Sequence, residues 1–156
     1  MAKLVPVELF DLIIFGGTGD LAMRKLLPAL YHRDRDGQVI DDSRIIAVGR
    51  SALSREAYLA EVEQALRSNL SDGDFDPAQW SSFSRRIEYV ELDATAHDRW
   101  GDLVELLQGK GERIRTAYLA TAPSLFGSIA KGLQLSLIHI SEPTRLESKS
   151  RIPAWA

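Results

Sequence analysis

Short apolar runs alternate with stripes of helical spacing along this 156-residue sequence. The apolar runs predict four strands, over residues 11–15, 44–48, 87–92 and 114–121. The stripes predict helices over 20–35, 54–70, 98–107 and 124–133, with a short helical turn near 78–83. Strands separated by single helices pair in parallel, because a parallel pair needs a crossover connection. We therefore predict an α/β fold, an incomplete doubly wound parallel sheet (Rossmann-like) of four strands with helices on both faces.

Three residues set the predicted geometry of the helices. Pro28 lies inside the first stripe, where it removes a backbone donor and crowds the carbonyl of Arg24, so we predict a kink there. Ser54 and Ser124 are of a residue type that caps helix N-termini, and we predict that they cap the second and the last helix. The apolar stripe of the second helix is assigned to Ala57, Leu59, Ala60, Val62 and Leu66.

Composition excludes several classes of protein. The formal net charge of −3 argues against non-specific nucleic-acid binding, which needs a basic surface. No apolar stretch is long enough to cross a membrane. The sequence has no cysteine and therefore no disulfide framework and no thiolate metal site. We expect a cytoplasmic protein with no metal and with neither a nucleic acid nor a membrane as its partner.

The most informative residues join the first strand to the first helix. The segment reads Phe15-Gly-Gly-Thr-Gly-Asp-Leu-Ala22, and its part from Gly17 fits G-x-G-x-x-[G/A]. In this pattern glycine permits a sharp turn and a close approach of main-chain N–H groups to a pyrophosphate, and Ala22 keeps the helix close to the sheet. The helix N-terminus then presents unpaired donors to an anion. No Gly-Lys-[Ser/Thr] follows, which excludes a P-loop.

The end of the second strand discriminates between nicotinamide coenzymes. NAD-specific sites place Asp or Glu there for the ribose hydroxyls, whereas NADP needs a cation for its 2′-phosphate. Here the strand ends Val48-Gly-Arg-Ser51, without an acid at its tip. Arg50 is suited to a bidentate contact with a phosphate, and Thr18 adds a hydroxyl. The residues therefore predict NADP, with a solvated Arg50 in an ordinary loop as the alternative.

The segment from Phe15 to Tyr31 resembles the opening of glucose-6-phosphate dehydrogenase, a family that couples Gly-x-x-Gly-Asp-Leu-Ala to a basic pair and Leu-Pro-x-Leu-Tyr. Further segments agree with the family in the same order, namely Ile45-Ile-Ala-Val-Gly-Arg-Ser51, Leu92-Asp-Ala94 and Tyr118-Leu-Ala-Thr-Ala-Pro-Ser-Leu-Phe-Gly127. The resemblance runs from about residue 10 to Gln134. It implies NADP-dependent oxidation of glucose 6-phosphate at C1 to the lactone, in the pentose phosphate pathway, by an enzyme that is a homo-oligomer.

The resemblance also implies roles for individual residues. The pyrophosphate would contact the turn formed by Gly16, Gly17, Thr18, Gly19, Asp20 and Leu21. Arg50 would hold the 2′-phosphate, Asp93 and Ala94 would lie by the adenine, and Ala122 and Pro123 by the nicotinamide. Lys25 matches a lysine close to the cofactor and the sugar phosphate, with a solvated helix lysine as the alternative.

The family pattern stops after Gln134. The family continues to Glu-Lys-Pro and to a later Asp-His-Tyr-Leu-Gly-Lys segment, whose histidine takes the proton from the C1 hydroxyl, and neither segment is present. None of the three histidines has those neighbours, so we assign no catalytic residue and expect an inactive chain.

Residues from Leu135 read like a translated sequencing adapter. We therefore divide the chain into a truncated NADP-binding domain over 1–134 and a non-native tail over 135–156. A real strand near Leu137 to Ile140 is the alternative. Without further strands, the fourth strand would expose an unpaired edge that favours aggregation, unless the tail covers it.

Two other functions remain open at this point. A short-chain or atypical reductase shares Gly-Gly-Thr-Gly but needs Tyr-x-x-x-Lys, and no tyrosine here is followed four residues later by lysine. A non-enzymatic NADP-sensing module fits the missing catalytic base.

Overall fold

The computed structural model describes residues 9–39, 42–71, 73–93, 100–108, 113–137 and 145–149. Its strands are β1 (Phe10–Phe15), β2 (Arg44–Gly49), β3 (Ile87–Glu91), β4 (Ile114–Leu119) and β5 (Arg145–Lys149). Its helices are α1 (Leu27–Arg35), α2 (Arg55–Asn69), α3 (Pro77–Ser84), α4 (Trp100–Leu107) and α5 (Phe126–Leu137). A π-helical turn (Ala22–Leu26) precedes α1, and a 3-10 turn (Pro123–Leu125) precedes α5.

The strands form one sheet in the order β3-β2-β1-β4-β5, with every pair parallel. Strands β2 and β3 are added on one side of β1, and β4 and β5 on the other side. The carboxyl ends of β1 and β4 therefore border a crevice of the kind in which open α/β sheets bind ligands. The predicted fold class and the four predicted strands are confirmed.

The fifth strand changes the predicted edge of the sheet. Residues 145–149 pair with 114–118 of β4, so the edge of β4 that we expected to lie open is covered by the tail. The sequence of β5, Arg-Leu-Glu-Ser-Lys, has one apolar residue in five, which suits a strand with an outer edge rather than a central strand. The alternative strand near Leu137 to Ile140 is not seen, since Leu137 ends α5 and residues 138–140 lie outside the described ranges.

Alternate residues of the strands build two cores, one on each face of the sheet. On one face Ile13 and Ile46 pack with α4 and α5. On the other face Ile14 and Ile45 pack with the first helix, α2 and α3. Strands covered on both faces carry apolar residues at successive positions, which explains why the runs in β1 and β2 lack the period of two seen in half-exposed strands.

Of the two predicted helix caps, one agrees with the structure and one differs. Ser54 accepts a hydrogen bond from the Ala57 amide at 3.1 Å, which confirms it as the cap of α2. The kink predicted near Arg24 falls within the π turn, in which the Leu27 amide donates to the Ala22 carbonyl. Ser124 does not cap α5, because Pro123 begins a 3-10 turn that contains Ser124, and the helix starts at Phe126.

Candidate functional site

The glycine turn begins where β1 ends, and it lies against the end of β2. Gly16 has φ of +86°, a conformation that L side chains rarely adopt. The amides of Gly16 and Gly17 both donate to the carbonyl of Val48, at 2.9 and 3.0 Å. A Cβ at Gly16 would lie 2.7 Å from the oxygen of Ala120, so only glycine fits between the ends of β1 and β4.

Gly17 faces the interior of the protein rather than the crevice. A Cβ at Gly17 would lie 2.7 Å from the Cβ of Ala47 on β2. Its carbonyl accepts a hydrogen bond of 2.7 Å from the buried hydroxyl of Tyr58 on α2. The second glycine of the turn therefore permits close packing of the turn on β2 and α2.

The outer part of the turn is open and presents main-chain donors. Within 4 Å of a Cβ at Gly19 lies a single atom, the oxygen of Gly16 at 3.3 Å. Among the described residues, no backbone carbonyl accepts from the N–H groups of Thr18, Asp20 or Leu21. Free N–H groups at the start of a helix bind anions, so the turn fits a pyrophosphate. Ala22 is fully buried, as close packing of the helix on the sheet requires.

The tip of β2 adjoins this turn and carries Arg50. A Cβ at Gly49 would lie 3.3 Å from the hydroxyl oxygen of Thr18, so the two segments are in contact. Arg50 is exposed, and its guanidinium has no hydrogen bond or ion pair within the described part of the chain. An exposed guanidinium one residue from the segment that contacts Thr18 is suited to a phosphate group.

The structure brings most of the other predicted residues to the same edge of the sheet. Asp93 is half-buried just after β3, where the amide of Leu92 donates to the carbonyl of Gly49 at 2.8 Å. Ala122 and Pro123 are exposed just after β4, on the other side of the glycine turn. Their contacts with a coenzyme stay predictions.

Two further predicted residues remain. Lys25 is exposed in the π turn, and its role stays a prediction. Ala94 lies outside the described residues.

Sequence reasoning missed a pair of tyrosines beneath this edge. The rings of Tyr58 and Tyr89 stack with centroids 4.8 Å apart. Burial raises the pKa of Tyr58 far above its usual value, and Tyr89 and Glu61 add smaller effects in the same direction. Burial also raises the pKa of Tyr89, helped by Glu91 and Glu61. Both hydroxyls therefore stay protonated and donate hydrogen bonds at neutral pH.

A signal for Tyr58 was present in the sequence. The buried stripe of α2 is Tyr58, Val62 and Leu66, which are spaced four residues apart. The predicted stripe included Ala57 and Ala60, which are exposed, and it left Tyr58 out.

A polar cleft opens on the other side of the turn, between the first helix and α2. Its volume is about 520 Å³, and its lining includes Thr18, Asp20, Arg24 and Glu61. The cleft does not include the tip of β2 with Arg50. The described residues contain no group of three or more His, Asp or Glu side chains that could hold a metal ion. No helix within the described ranges is long and apolar enough to cross a membrane.

Comparison with known families identifies the family of the chain that carries this site. The family described as "Glucose-6-phosphate dehydrogenase, NAD binding domain" matches residues 13–152. The chain belongs to this glucose-6-phosphate dehydrogenase family. The match covers the glycine turn, the tip of β2 and the ends of β3 and β4, and it supports a nicotinamide dinucleotide as the cofactor class.

Curated relatives and solved structures agree with this membership. The chain is 43% identical over 133 residues to glucose-6-phosphate 1-dehydrogenase of Rhizobium meliloti, covering 85% of this chain and 27% of the relative. It is 47% identical over 135 residues to the Gluconobacter oxydans protein of that name, covering 85% and 28%. The chain thus spans less than a third of these relatives.

Among solved structures of the family, one of glucose-6-phosphate dehydrogenase in complex with its substrate glucose-6-phosphate superposes with a TM-score of 0.81. It is 26% identical and covers 98% of this chain and 32% of that one. The enzyme from Mycobacterium avium superposes with a TM-score of 0.77 at 26% identity, covering 92% of this chain and 30% of that one.

Proposed function

We propose that this chain is the coenzyme-binding part of an NADP-dependent glucose-6-phosphate dehydrogenase. The whole enzyme oxidises glucose 6-phosphate at C1 to the lactone and is a cytoplasmic homo-oligomer of the pentose phosphate pathway. The observation that carries the proposal is the junction of the open glycine turn with Arg50, within a chain that belongs to this family. Bound NADP supplies the hydride acceptor, and the residues of this chain bind and orient it.

The glycine turn and the tip of β2 bind different phosphate groups of the coenzyme. The free N–H groups of Thr18, Asp20 and Leu21 hold the pyrophosphate, which is common to NAD and NADP. Arg50 holds the 2′-phosphate, which only NADP has. The chain offers no base for the C1 hydroxyl, because none of its histidines has the neighbours of the family's catalytic histidine. We therefore propose that the 156-residue chain binds the coenzyme without turning over glucose 6-phosphate.

Titration calorimetry of the Arg50→Ala chain with NADP and with NAD tests this proposal. Loss of a charge-assisted contact should weaken NADP binding by about 1.5–3 kcal/mol and leave NAD binding nearly unchanged. Arg85→Ala is a matched control, because Arg85 is also exposed but lies after α3, at the opposite edge of the sheet. Equal losses of both coenzymes in the Arg50→Ala chain, or an equal loss of NADP in the control, would contradict the assignment.

We also propose that the native part of the chain covers 1–134 and that 135–156 is a non-native tail. The family's residue pattern, which is lost after Gln134 in this sequence, is the observation behind this division. Long-read sequencing of the locus without adapters tests it. Codons for residues 135–156 in native DNA would overturn the division.

A further inference from the structure

The stacked tyrosines connect the two segments that we propose as the coenzyme site. Tyr58 rises from α2 and Tyr89 from β3, and their rings are inclined by 23°. The hydroxyl of Tyr58 donates to Gly17 in the glycine turn, at 2.7 Å. The hydroxyl of Tyr89 donates to the carbonyl of Ser51 beyond the tip of β2, also at 2.7 Å. Each ring thus anchors one segment and supports the other ring.

Arg50 lies between two anchored peptide groups. On one side, the carbonyl of Gly49 accepts from the amide of Leu92 at 2.8 Å. On the other side, the carbonyl of Ser51 accepts both from Tyr89 and from the amide of Leu53, the latter at 3.0 Å. The backbone that carries the guanidinium is therefore held in place before any ligand binds, and a prearranged group loses less entropy on binding.

Gly49 permits the close approach of Tyr89. A Cβ at Gly49 would lie 2.9 Å from the hydroxyl oxygen of Tyr89, which is too close for an unperturbed contact. The hydroxyl thus reaches Ser51 past a residue without a side chain. Tyr89 on β3 therefore contacts the tip of β2 through its hydroxyl.

We propose that Tyr89 is a positioning residue that sets the preference for NADP over NAD, because it fixes the turn that carries Arg50, whereas Tyr58 positions the glycine turn that serves both coenzymes. This inference rests on the proposed function. Tyr89 itself would touch no phosphate and would act through Arg50.

The test compares Tyr→Phe variants that remove one hydroxyl and keep the ring. Calorimetry of the full chain should find NADP binding weakened by about threefold to tenfold in Tyr89→Phe, the usual effect of one hydrogen bond, with NAD changed by less than about twofold. Tyr58→Phe should weaken both coenzymes by a similar factor. Tyr31→Phe is the matched control, because the Tyr31 hydroxyl bonds the backbone of Asp76, away from both segments, and its loss should leave both affinities unchanged.

A double variant separates positioning from general stability. If Tyr89 acts through Arg50, then Tyr89→Phe should not change the ratio of NADP to NAD affinity in an Arg50→Ala chain, whereas a merely structural effect would be the same in both backgrounds. A wild-type chain that shows no preference for NADP would overturn the proposed function and this inference together. A wild-type preference that persists in Tyr89→Phe would overturn the inference alone.

Amide hydrogen exchange provides a second readout that needs no coenzyme. The Leu53 amide shares its acceptor with Tyr89, so its exchange should be faster in Tyr89→Phe and unchanged in Tyr31→Phe. Unchanged exchange at Leu53 in Tyr89→Phe would show that the tyrosine does not hold this turn and would contradict the inference.

Discussion

Asp11 lies near the amino end of the central strand β1, away from the coenzyme site, and its replacement by asparagine is a severe stability test of this fold. Its side chain is fully buried. Arg44 donates to both of its carboxylate oxygens, each at 2.9 Å, and Arg113 donates to one of them at 2.9 Å. The Nε of Arg115 lies 3.8 Å from the other oxygen. One carboxylate therefore serves three arginines from β2, β4 and the segment before β4.

The size of the effect follows from what asparagine removes. The amide offers one oxygen in place of two and carries no charge, so guanidinium groups would remain buried without this counter-ion. Breaking a buried ion pair from one side costs about 3–5 kcal/mol. Domains are stable by about 5–15 kcal/mol, so Asp11→Asn should remove about a fifth or more of the total. At a urea dependence of about 2 kcal/mol/M, the unfolding midpoint should fall by about 2 M.

Urea unfolding followed by far-ultraviolet circular dichroism measures this midpoint. Glu63→Gln is the control, because it makes the same chemical change in an exposed pair with Arg67 on α2, at 3.0 Å. That pair is worth about 0.5 kcal/mol or less, so the midpoint of the control should move by about 0.25 M at most. An Asp11→Asn chain that unfolds at the same urea concentration as the control would show that the buried ion pairs of Asp11 do not stabilise the fold.

Three further changes test other parts of the fold. Gly16→Ala should lower the free energy of unfolding by about 3 kcal/mol, from left-handed backbone and from overlap with Ala120, and a wild-type urea midpoint would contradict this. Burial raises the pKa of Tyr58 above its usual 10, so the stability it contributes is complete below about pH 10 and is lost as the pH rises further. Urea midpoints at pH 9 and 11 should therefore differ less in Tyr58→Phe than in the wild type, and equal differences would exclude this linkage. Gly132→Ala would place a Cβ in the ring of Trp100, so it should cost about 1–3 kcal/mol and change the near-ultraviolet circular dichroism, whereas unchanged spectra and stability would argue against this packing.

Features that depend on a few neighbouring residues could be predicted from the sequence. The glycine turn requires only a strand, a helix and the residues between them, and Ser54 caps α2 through an amide three residues away. The predicted start of the helix after β4 is wrong for a local reason. Pro123 has a fixed φ that suits a 3-10 turn, and this turn moves the start of α5 to Phe126. The π turn depends on how the first helix packs, which spacing alone does not reveal.

Features that depend on distant contacts were not predictable. The hydroxyl of Tyr89 reaches the tip of β2 because β3 pairs beside β2 in a particular register, and its ring stacks on Tyr58 from a different element. Asp11 and Arg44 looked like polar starts of two strands, and only the register that places them side by side makes them an ion pair. Periodicity identifies the elements but not these partners.

An NMR titration of the 156-residue chain with NADP, followed through the backbone amides, tests directly whether the glycine turn and Arg50 bind the coenzyme. We predict the largest shifts at Thr18, at Leu21 and at Arg50, where the glycine turn and the tip of β2 meet the coenzyme's phosphates. Shifts confined to Gln64 and Ser68 in the polar cleft, or no shifts at all, would contradict this prediction.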